Sequence, residues 1–600
     1  MPVVLRSRLF LGAVIVLAVA LCYWPAMRAG FVWDDDLLVT ENPLVKGVDS
    51  LPYVWGSSAA TDYTPLTITV FWLEWRLWSD NAAGYHFVNI LLYALSALLL
   101  WRVLERLGIP GAWLGALLFA VHPVNVASVA WVAELKNALS LPFYLGAIAG
   151  FLRFLETRKA GAYCFALLAA GCALLSKGST VILPLVLCVC VWWKQRRVSG
   201  ADILVVLPFF VLSGVAALVT IHFQSRVMDP TAVQVLLPAR IARAGHAIWF
   251  YLWKDVWPVG LCAIYPKWPL NDGWLPVMLA VGLALLLWAG RRRWGRGLFF
   301  AWAYFITALL PVLGILNMSF LDQAYVADWW QQLALPGVTT LVAAGIAMVW
   351  PRGGNAGRAG LAAGVALVVL IIGERTWSEA SGYESMETHC RRTLACNPDA
   401  WTAHNNLGDA LLIEGRLDEA AEEYRTALRL KPSEASAHSN LGIIFARQNR
   451  LDDAIAEYRA ALWIAPENAK FWFNLGTALA VKRQDAEAAD AFQHAIDYNV
   501  IDKAWIAPRY EMGTVLLKLG RPKEAGRQAE IIVKLNPEAV WGHYLLTRAA
   551  AAIGRFDVAR TEAETALGIA KQGGGEETIR RMQDALDACK AGRAPAEPEL

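Results

Sequence analysis

Charge is scarce in this chain: Asp, Glu, Lys and Arg make up only 18% of its 600 residues, and the net charge is +3. No basic stripe interleaved with aromatics occurs, so nucleic acid is not an expected partner. The nine cysteines are scattered and supply no pair of CxxC motifs at zinc spacing. No P-loop, GxSxG elbow, HExxH helix or dinucleotide glycine fingerprint appears, which leaves soluble nucleotide-dependent and hydrolase chemistries without support.

What the chain has instead is apolar length, with 57% hydrophobic residues and a mean hydropathy of +0.40. Its size exceeds what one core holds, so two or more domains are expected. Up to about Gly373 apolar runs follow one another. From Glu374 onward the sequence is polar, helix-forming and rich in Ala, Glu and Arg. That step predicts a membrane domain followed by a soluble one.

Eleven stretches approach the twenty or so apolar residues that a spanning helix needs: 8–27, 84–101, 111–127, 137–152, 161–176, 178–193, 202–222, 274–290, 298–316, 331–350 and 359–373. Leu9–Trp24 follows Arg6 and Arg8 as a signal peptide would, but no small-x-small cleavage site comes after it, so an uncleaved first span is expected. Ile241–Trp257 carries Arg243, His246, Lys254 and Asp255 and is read as an interfacial or re-entrant segment. Alternate connections are short and basic, together holding 16 Lys/Arg against Glu105, Glu156 and Asp202. The positive-inside rule makes those connections cytoplasmic. Arg28–Ala83, Phe223–Gly273 and the polar C-terminal region then share the opposite side. Few ionisable residues fall at mid-membrane depth, which weakens a transporter reading.

The C-terminal region repeats. Leu407-Gly408, Leu441-Gly442 and Leu475-Gly476 are 34 residues apart, as are Pro398, Pro432 and Pro466. Met512-Gly513 and Leu545-Leu546 continue the series after an insertion near Tyr498–Lys503. Ala420, Ala454 and Ala488 recur where two helices pack closely, each followed four residues later by Tyr424, Tyr458 or Phe492. This is the tetratricopeptide pattern, in which helical hairpins stack into a superhelix with a peptide-binding groove; five units are expected.

Four water-facing motifs carry chemistry. Asp34-Asp35-Asp36 follows the first span; a carboxylate there can deprotonate an acceptor hydroxyl or hold a divalent cation, and one of the three can cap the helix starting at Leu37. His122-Pro123-Val124-Asn125, with Glu134, Lys136 and Asn137 after it, reads equally as a helix boundary. Lys177, in the tight turn Ser176-Lys177-Gly178-Ser179, suits a phosphate or snorkels at the interface. Arg240 and Arg243 suit phosphate as well, while Tyr265 and Tyr325–Trp330, which includes Asp328, serve as site residues or interface anchors. Cys390 and Cys396 are either a disulfide or two ordinary thiols.

In order, Phe31–Pro43, Tyr63–Thr69, Gly84–Leu92, Leu118–Glu134, Leu175–Pro184 and Leu310–Leu316 resemble segments of the transmembrane and tetratricopeptide-repeat O-mannosyltransferases and their bacterial relatives. The resemblance implies an all-α chain: a polytopic GT-C-type glycosyltransferase domain of about eleven spans over 1–375, a linker helix over 376–397, repeats over 398–590 and a flexible tail over 591–600. It implies transfer of a sugar, mannose by analogy, from a polyprenyl-phosphate lipid to protein hydroxyls on the non-cytoplasmic face. It makes Asp34 and Asp35 the catalytic pair and Lys177, Arg240 and Arg243 the donor-phosphate ligands. His86, His122, Asn125, Glu134, Tyr265 and Asp328 are further candidates. The repeats would take the acceptor polypeptide. No cofactor is assigned, and a divalent cation at Asp34 and Asp35 is left open. The expected location is a multi-pass place in the cell inner membrane with the repeats periplasmic. The alternative is a non-catalytic membrane-anchored scaffold whose repeats recruit periplasmic partners.

Overall fold

A computed structural model describes residues 2–56, 63–227, 235–269, 273–316, 318–350, 354–499 and 505–596. Every regular element among them is helical, and the chain divides into two compact units, Met1–Ala403 and His404–Leu600.

Each of the eleven apolar stretches overlaps helix in the first unit, though 111–127 crosses a break between two helices. Five helices are long and apolar enough to cross a membrane, or six if the bent pair Ala112–Ala120 and Pro123–Ala130 counts as one span; five more apolar helices are 10–17 residues long. Local sequence sets their ends. Asn81 caps the Ala82–Leu107 helix by accepting from the Ala83 amide at 3.2 Å, and Gly108 ends it at φ +72°. Pro123 breaks the next apolar run, bending it by 51°. The Leu135–Thr157 helix packs against both Ala82–Leu107 and Ala160–Ser176. The stretch 376–397 comprises the end of the Asn355–Ser381 helix, a turn, and the separate helix Met386–Cys396.

The second unit repeats one helical hairpin. The pairs are Trp401–Ile413 with Leu417–Leu430, Ala435–Arg447 with Leu451–Ile464, Ala469–Val481 with Asp485–Tyr498, Ala507–Lys518 with Pro522–Leu535, and Val540–Ala552 with Phe556–Gly573. The helix Glu576–Lys590 follows them. The hairpin turns place Gly415, Asn449, Arg483, Gly520 and Gly554 in the left-handed region, at φ between 60° and 79°. Gly408, Gly442 and Gly476 exist for close approach: a Cβ on any of them would stand 2.7 Å from the ring of Tyr424, Tyr458 or Phe492. Residues 500–503 of the insertion and 597–600 of the expected tail lie outside the described residues.

Candidate functional site

The three aspartates do three different things. Asp35 is fully buried, its Oδ2 accepting from the Val32 amide at 2.7 Å and its Oδ1 from the Ala133 amide at 2.6 Å. The Trp131 indole donates to the Val32 carbonyl at 3.2 Å, so this carboxylate and that indole stitch the Val32–Asp35 segment to the Trp131–Ala133 segment. Burial pushes the Asp35 carboxyl well above the usual range, with the two amides opposing. Asp36 opens a short π-helical turn over Asp36–Thr40 and accepts the Thr40 hydroxyl at 2.9 Å. The turn therefore starts one residue earlier than Leu37, and no aspartate side chain caps it. Asp34 is left exposed. The protein packed around it still raises its carboxyl above the ordinary range, Lys136 opposing and Glu134 adding to the rise.

Trp33 makes this division possible. It sits at φ +56°, a strained conformation for a bulky residue, and so turns Asp34 and Asp35 to different surroundings. Its amide donates to Met386 Sδ at 3.3 Å, and its ring meets His389 at 5.1 Å and Trp131 at 6.1 Å.

Beside Asp34 runs a chain of polar groups. Glu134, 2% exposed, pairs with Lys136 at 3.1 Å and accepts from the Asn137 amide. Asn137 in turn accepts from Lys177 through its carbonyl oxygen. The amide thus faces an anion with its N–H and a cation with its oxygen. Lys177 occupies the extended break between the Ala160–Ser176 helix and the Gly178–Ile182 turn, where its carbonyl accepts the Thr180 hydroxyl at 2.8 Å. Thr67 fixes the same break by donating to the Ser176 carbonyl at 2.9 Å. Asn137 was not among the site residues expected from sequence. Its spacing three residues after Glu134 at a helix start, which places both side chains on one face, is the signal that finds it.

The remaining candidates fall into other roles. His122 and Asn125 hold the bend: His122 accepts from the Val124 amide at 3.4 Å and bonds the Asp255 carbonyl at 3.0 Å, while Asn125 donates to the Tyr93 hydroxyl at 2.7 Å and the Phe119 carbonyl at 3.2 Å. His86 is fully buried in the Ala82–Leu107 helix. Arg240 donates to the carbonyls of Val235 at 2.6 Å and Ile315 at 3.4 Å, and Arg243 to Gly314 at 2.7 Å. Arg243 is only 4% exposed, lies over the Tyr325 ring, and keeps its Nε–H without an acceptor among the described residues. The Gly178–Ile182 turn after Lys177 packs on Leu310–Val312, which leads into Gly314, so Lys177 and the two arginines border one connected stretch of the unit.

Tyr265 and Asp328 form a second cluster. The tyrosine donates to Asp328 Oδ1 at 2.8 Å, and the Cys262 amide to Oδ2 at 3.2 Å. Burial pushes the Asp328 carboxyl up to about 7, the Tyr265 hydrogen bond and Lys254 opposing. Cys262 is joined to Cys396 by a disulfide across 134 residues. That corrects the Cys390–Cys396 alternative: Cys390 is buried and outside the disulfide, because six residues on one helix turn the two side chains to different faces.

Asp35 and Asp36 offer a divalent cation no uncommitted pair of carboxylates. Both Asp35 oxygens accept backbone amides, Asp36 accepts a hydroxyl, and no cluster of three His, Cys, Asp or Glu converges among the described residues.

Comparison with known proteins finds similarity in both parts of the chain. Residues 62–222, which hold Glu134, Asn137 and Lys177, match the dolichyl-phosphate-mannose-protein mannosyltransferase family. Residues 408–449, 444–481 and 510–574 match tetratricopeptide repeats. A protein O-mannosyl-transferase of Caenorhabditis elegans is 25% identical over 263 residues, 40% of this chain and 37% of that one. The mouse protein O-mannosyl-transferase TMTC1 is 32% identical over 170 residues, 26% of this chain and 18% of that one. The chain thus spans well under half of each relative. Among solved structures, YrrB, a TPR protein with an unusual peptide-binding site, matches 32% of this chain and 97% of its own at 21% identity and a TM-score of 0.29. The chain is thus similar, over 62–222, to a mannosyltransferase family model and, over part of its length, to curated protein O-mannosyl-transferases, with tetratricopeptide-repeat matches following in sequence.

Proposed function

We propose that the chain is an integral membrane glycosyltransferase that moves a sugar, mannose by analogy with its relatives, from a polyprenyl-phosphate lipid to protein hydroxyls. The observation that carries this reading is Asp34: an exposed carboxylate, unlike buried Asp35, that is raised in pKa and has the Glu134–Asn137–Lys177 chain beside it. A base whose pKa is lifted toward the working pH accepts a hydroxyl proton more readily. In the proposed step the acceptor oxygen bonds the anomeric carbon and its proton passes to Asp34. The carbon–oxygen bond to phosphate breaks, and its electron pair leaves with the phosphate. Lys177, turned from Asn137, and the unused donor of Arg243 would neutralise that leaving group. Glu134 and Asn137 act as positioning residues that keep the Lys177 ammonium at the break.

The orientation is part of the proposal. Loop charges favour eleven crossings with Asp34 and the repeats on the periplasmic side of the inner membrane. The Cys262–Cys396 disulfide supports an oxidising compartment for the second cluster. The membrane domain would end near residue 375 and the repeats, from about 398, would bind the acceptor polypeptide. Intact-mass analysis of extracytoplasmic proteins from cells carrying the wild-type chain or Asp34→Asn tests the reading. Loss of hexose increments in the variant is expected. Unchanged spectra, with the repeats alone restoring the phenotype of a deletion, would favour a scaffold.

A further inference from the structure

At the far ends of the same helices lies a second, differently built cleft. The Ala82–Leu107 helix is about 39 Å long, and its Asn81 end adjoins the outer loops while its other end carries Arg102 and Arg106. The Leu135–Thr157 helix likewise begins beside Asn137 and ends beyond Arg153. Between these ends and the facing ends of Pro2–Cys22 and Ala160–Ser176 opens a cleft of about 740 Å³, walled by Arg8, Arg102, Arg106, Arg153 and Lys159 with Glu105 as the lining acid. That volume suits a small organic ligand rather than a few waters.

The charges in the cleft are unbalanced. Glu105 is shared by Arg8 at 3.5 Å and Arg102 at 3.2 Å, and Arg106 pairs with Glu156 at 2.6 Å. Arg153 and Lys159 are both exposed, and their side chains have no carboxylate partner among the described residues. Two helix C-termini nearby favour cations but absorb only a fraction of a charge each. The remaining wall is apolar: Leu99 and Phe165 line it, and Phe165 lies over Gly146 and Gly150, where a larger residue would block it. Along the two outer helices Leu91, Leu95, Phe165 and Leu168 stay exposed, giving an apolar track away from the cations.

Free cations at the head of an apolar track, at the level where a bilayer carries its headgroups, fit one kind of ligand. We propose that this cleft binds the phosphate headgroup of an anionic phospholipid in the leaflet opposite Asp34, with the acyl chains lying along the Ala82–Leu107 and Ala160–Ser176 helices. The site is independent of the sugar-transfer reading, since it needs only that these helices cross the membrane.

Native mass spectrometry of the full chain in detergent tests it, with phosphatidylglycerol, phosphatidylcholine of the same acyl chains, or inorganic phosphate added. Phosphatidylglycerol is expected to bind in preference to phosphatidylcholine. Arg153→Gln with Lys159→Gln weakens it by about thirtyfold, since each juxtamembrane cation contributes about one factor of five. The exchange Arg153→Lys with Lys159→Arg keeps the charge and is expected to keep binding. Changing Arg292 and Arg293 to Gln, elsewhere on the basic side, leaves it unchanged. Equal binding of the two lipids would overturn the proposal, as would equal competition by inorganic phosphate. So would an equal loss in the Arg292/Arg293 variant, which would reduce the effect to diffuse surface charge.

Discussion

In the repeat unit His404, His438 and His543 each meet a glutamate nineteen residues later, at 2.6 to 2.7 Å. In the membrane unit Asp35 reaches the Ala133 amide across 98 residues. The first contact recurs because the hairpins recreate the same two facing helix positions: Arg509 donates to Gln528 at the same separation, 3.0 Å away, while the third hairpin has Trp472 and Ala491 there. The second contact happens once. It needs Trp33 at positive φ, Trp131 extended and both outer loops in register. Polar groups in a repeat are therefore interchangeable parts of a local rule, whereas those in the membrane unit are individually committed.

That contrast gives an order of sensitivities. Asp35→Ala leaves two buried amides without acceptors and is expected to cost about 3–5 kcal/mol. Thermal unfolding of the detergent-purified chain reads it, and a loss below about 1 kcal/mol would mean the loops are not stitched through this carboxylate. In the repeats, Gly442→Ala drives a Cβ to 2.7 Å from the Tyr458 ring. Overpacking of this kind costs about 1–3 kcal/mol, and protease sensitivity is expected to rise within 404–600 but not within the membrane unit. An equal rise in both would deny that the two units answer separately.

The smallest effect concerns pH. The hydrogen bond that the His438 imidazole donates to Glu457 raises it above its ordinary 6.5, burial opposing. A group raised on folding stabilises fully below its unfolded pKa and loses that contribution as pH rises through the folded value. His438→Ala is therefore expected to be more destabilising at about pH 5.5 than at about pH 8.5, read by the unfolding midpoint of the full chain. A pH-independent difference would leave the contact as packing alone.

The same contrast explains what was legible beforehand. The 34-residue period located the hairpins, because Gly442 and Tyr458 meet by a rule that holds in the first three copies, and the spacing of the later ones continues it. Five of the apolar stretches, or six with the bent pair, fall on helices long and apolar enough to cross a membrane, since length and composition decide that. The roles of adjacent aspartates were not legible: sequence offers three equivalent carboxylates, and only the distant Ala133 amide singles out Asp35. Cys262 went unnoticed as the partner of Cys396 for the same reason, and His122 looked chemical although its ring nitrogens serve the bend. Lys177 and Glu134 were noticed separately. Asn137 is what joins them.

The most direct measurement of the division between Asp34 and Asp35 is sugar transfer by the purified, reconstituted chain, compared for wild type and Asp34→Asn and accompanied by the unfolding midpoint of each. An exposed base that touches the acceptor proton is expected to cost about a hundredfold to ten-thousandfold in rate when neutralised, with the midpoint unmoved. Transfer within about twofold of wild type, or a loss that merely follows a lowered midpoint, would contradict the assignment of Asp34 as the reacting carboxylate.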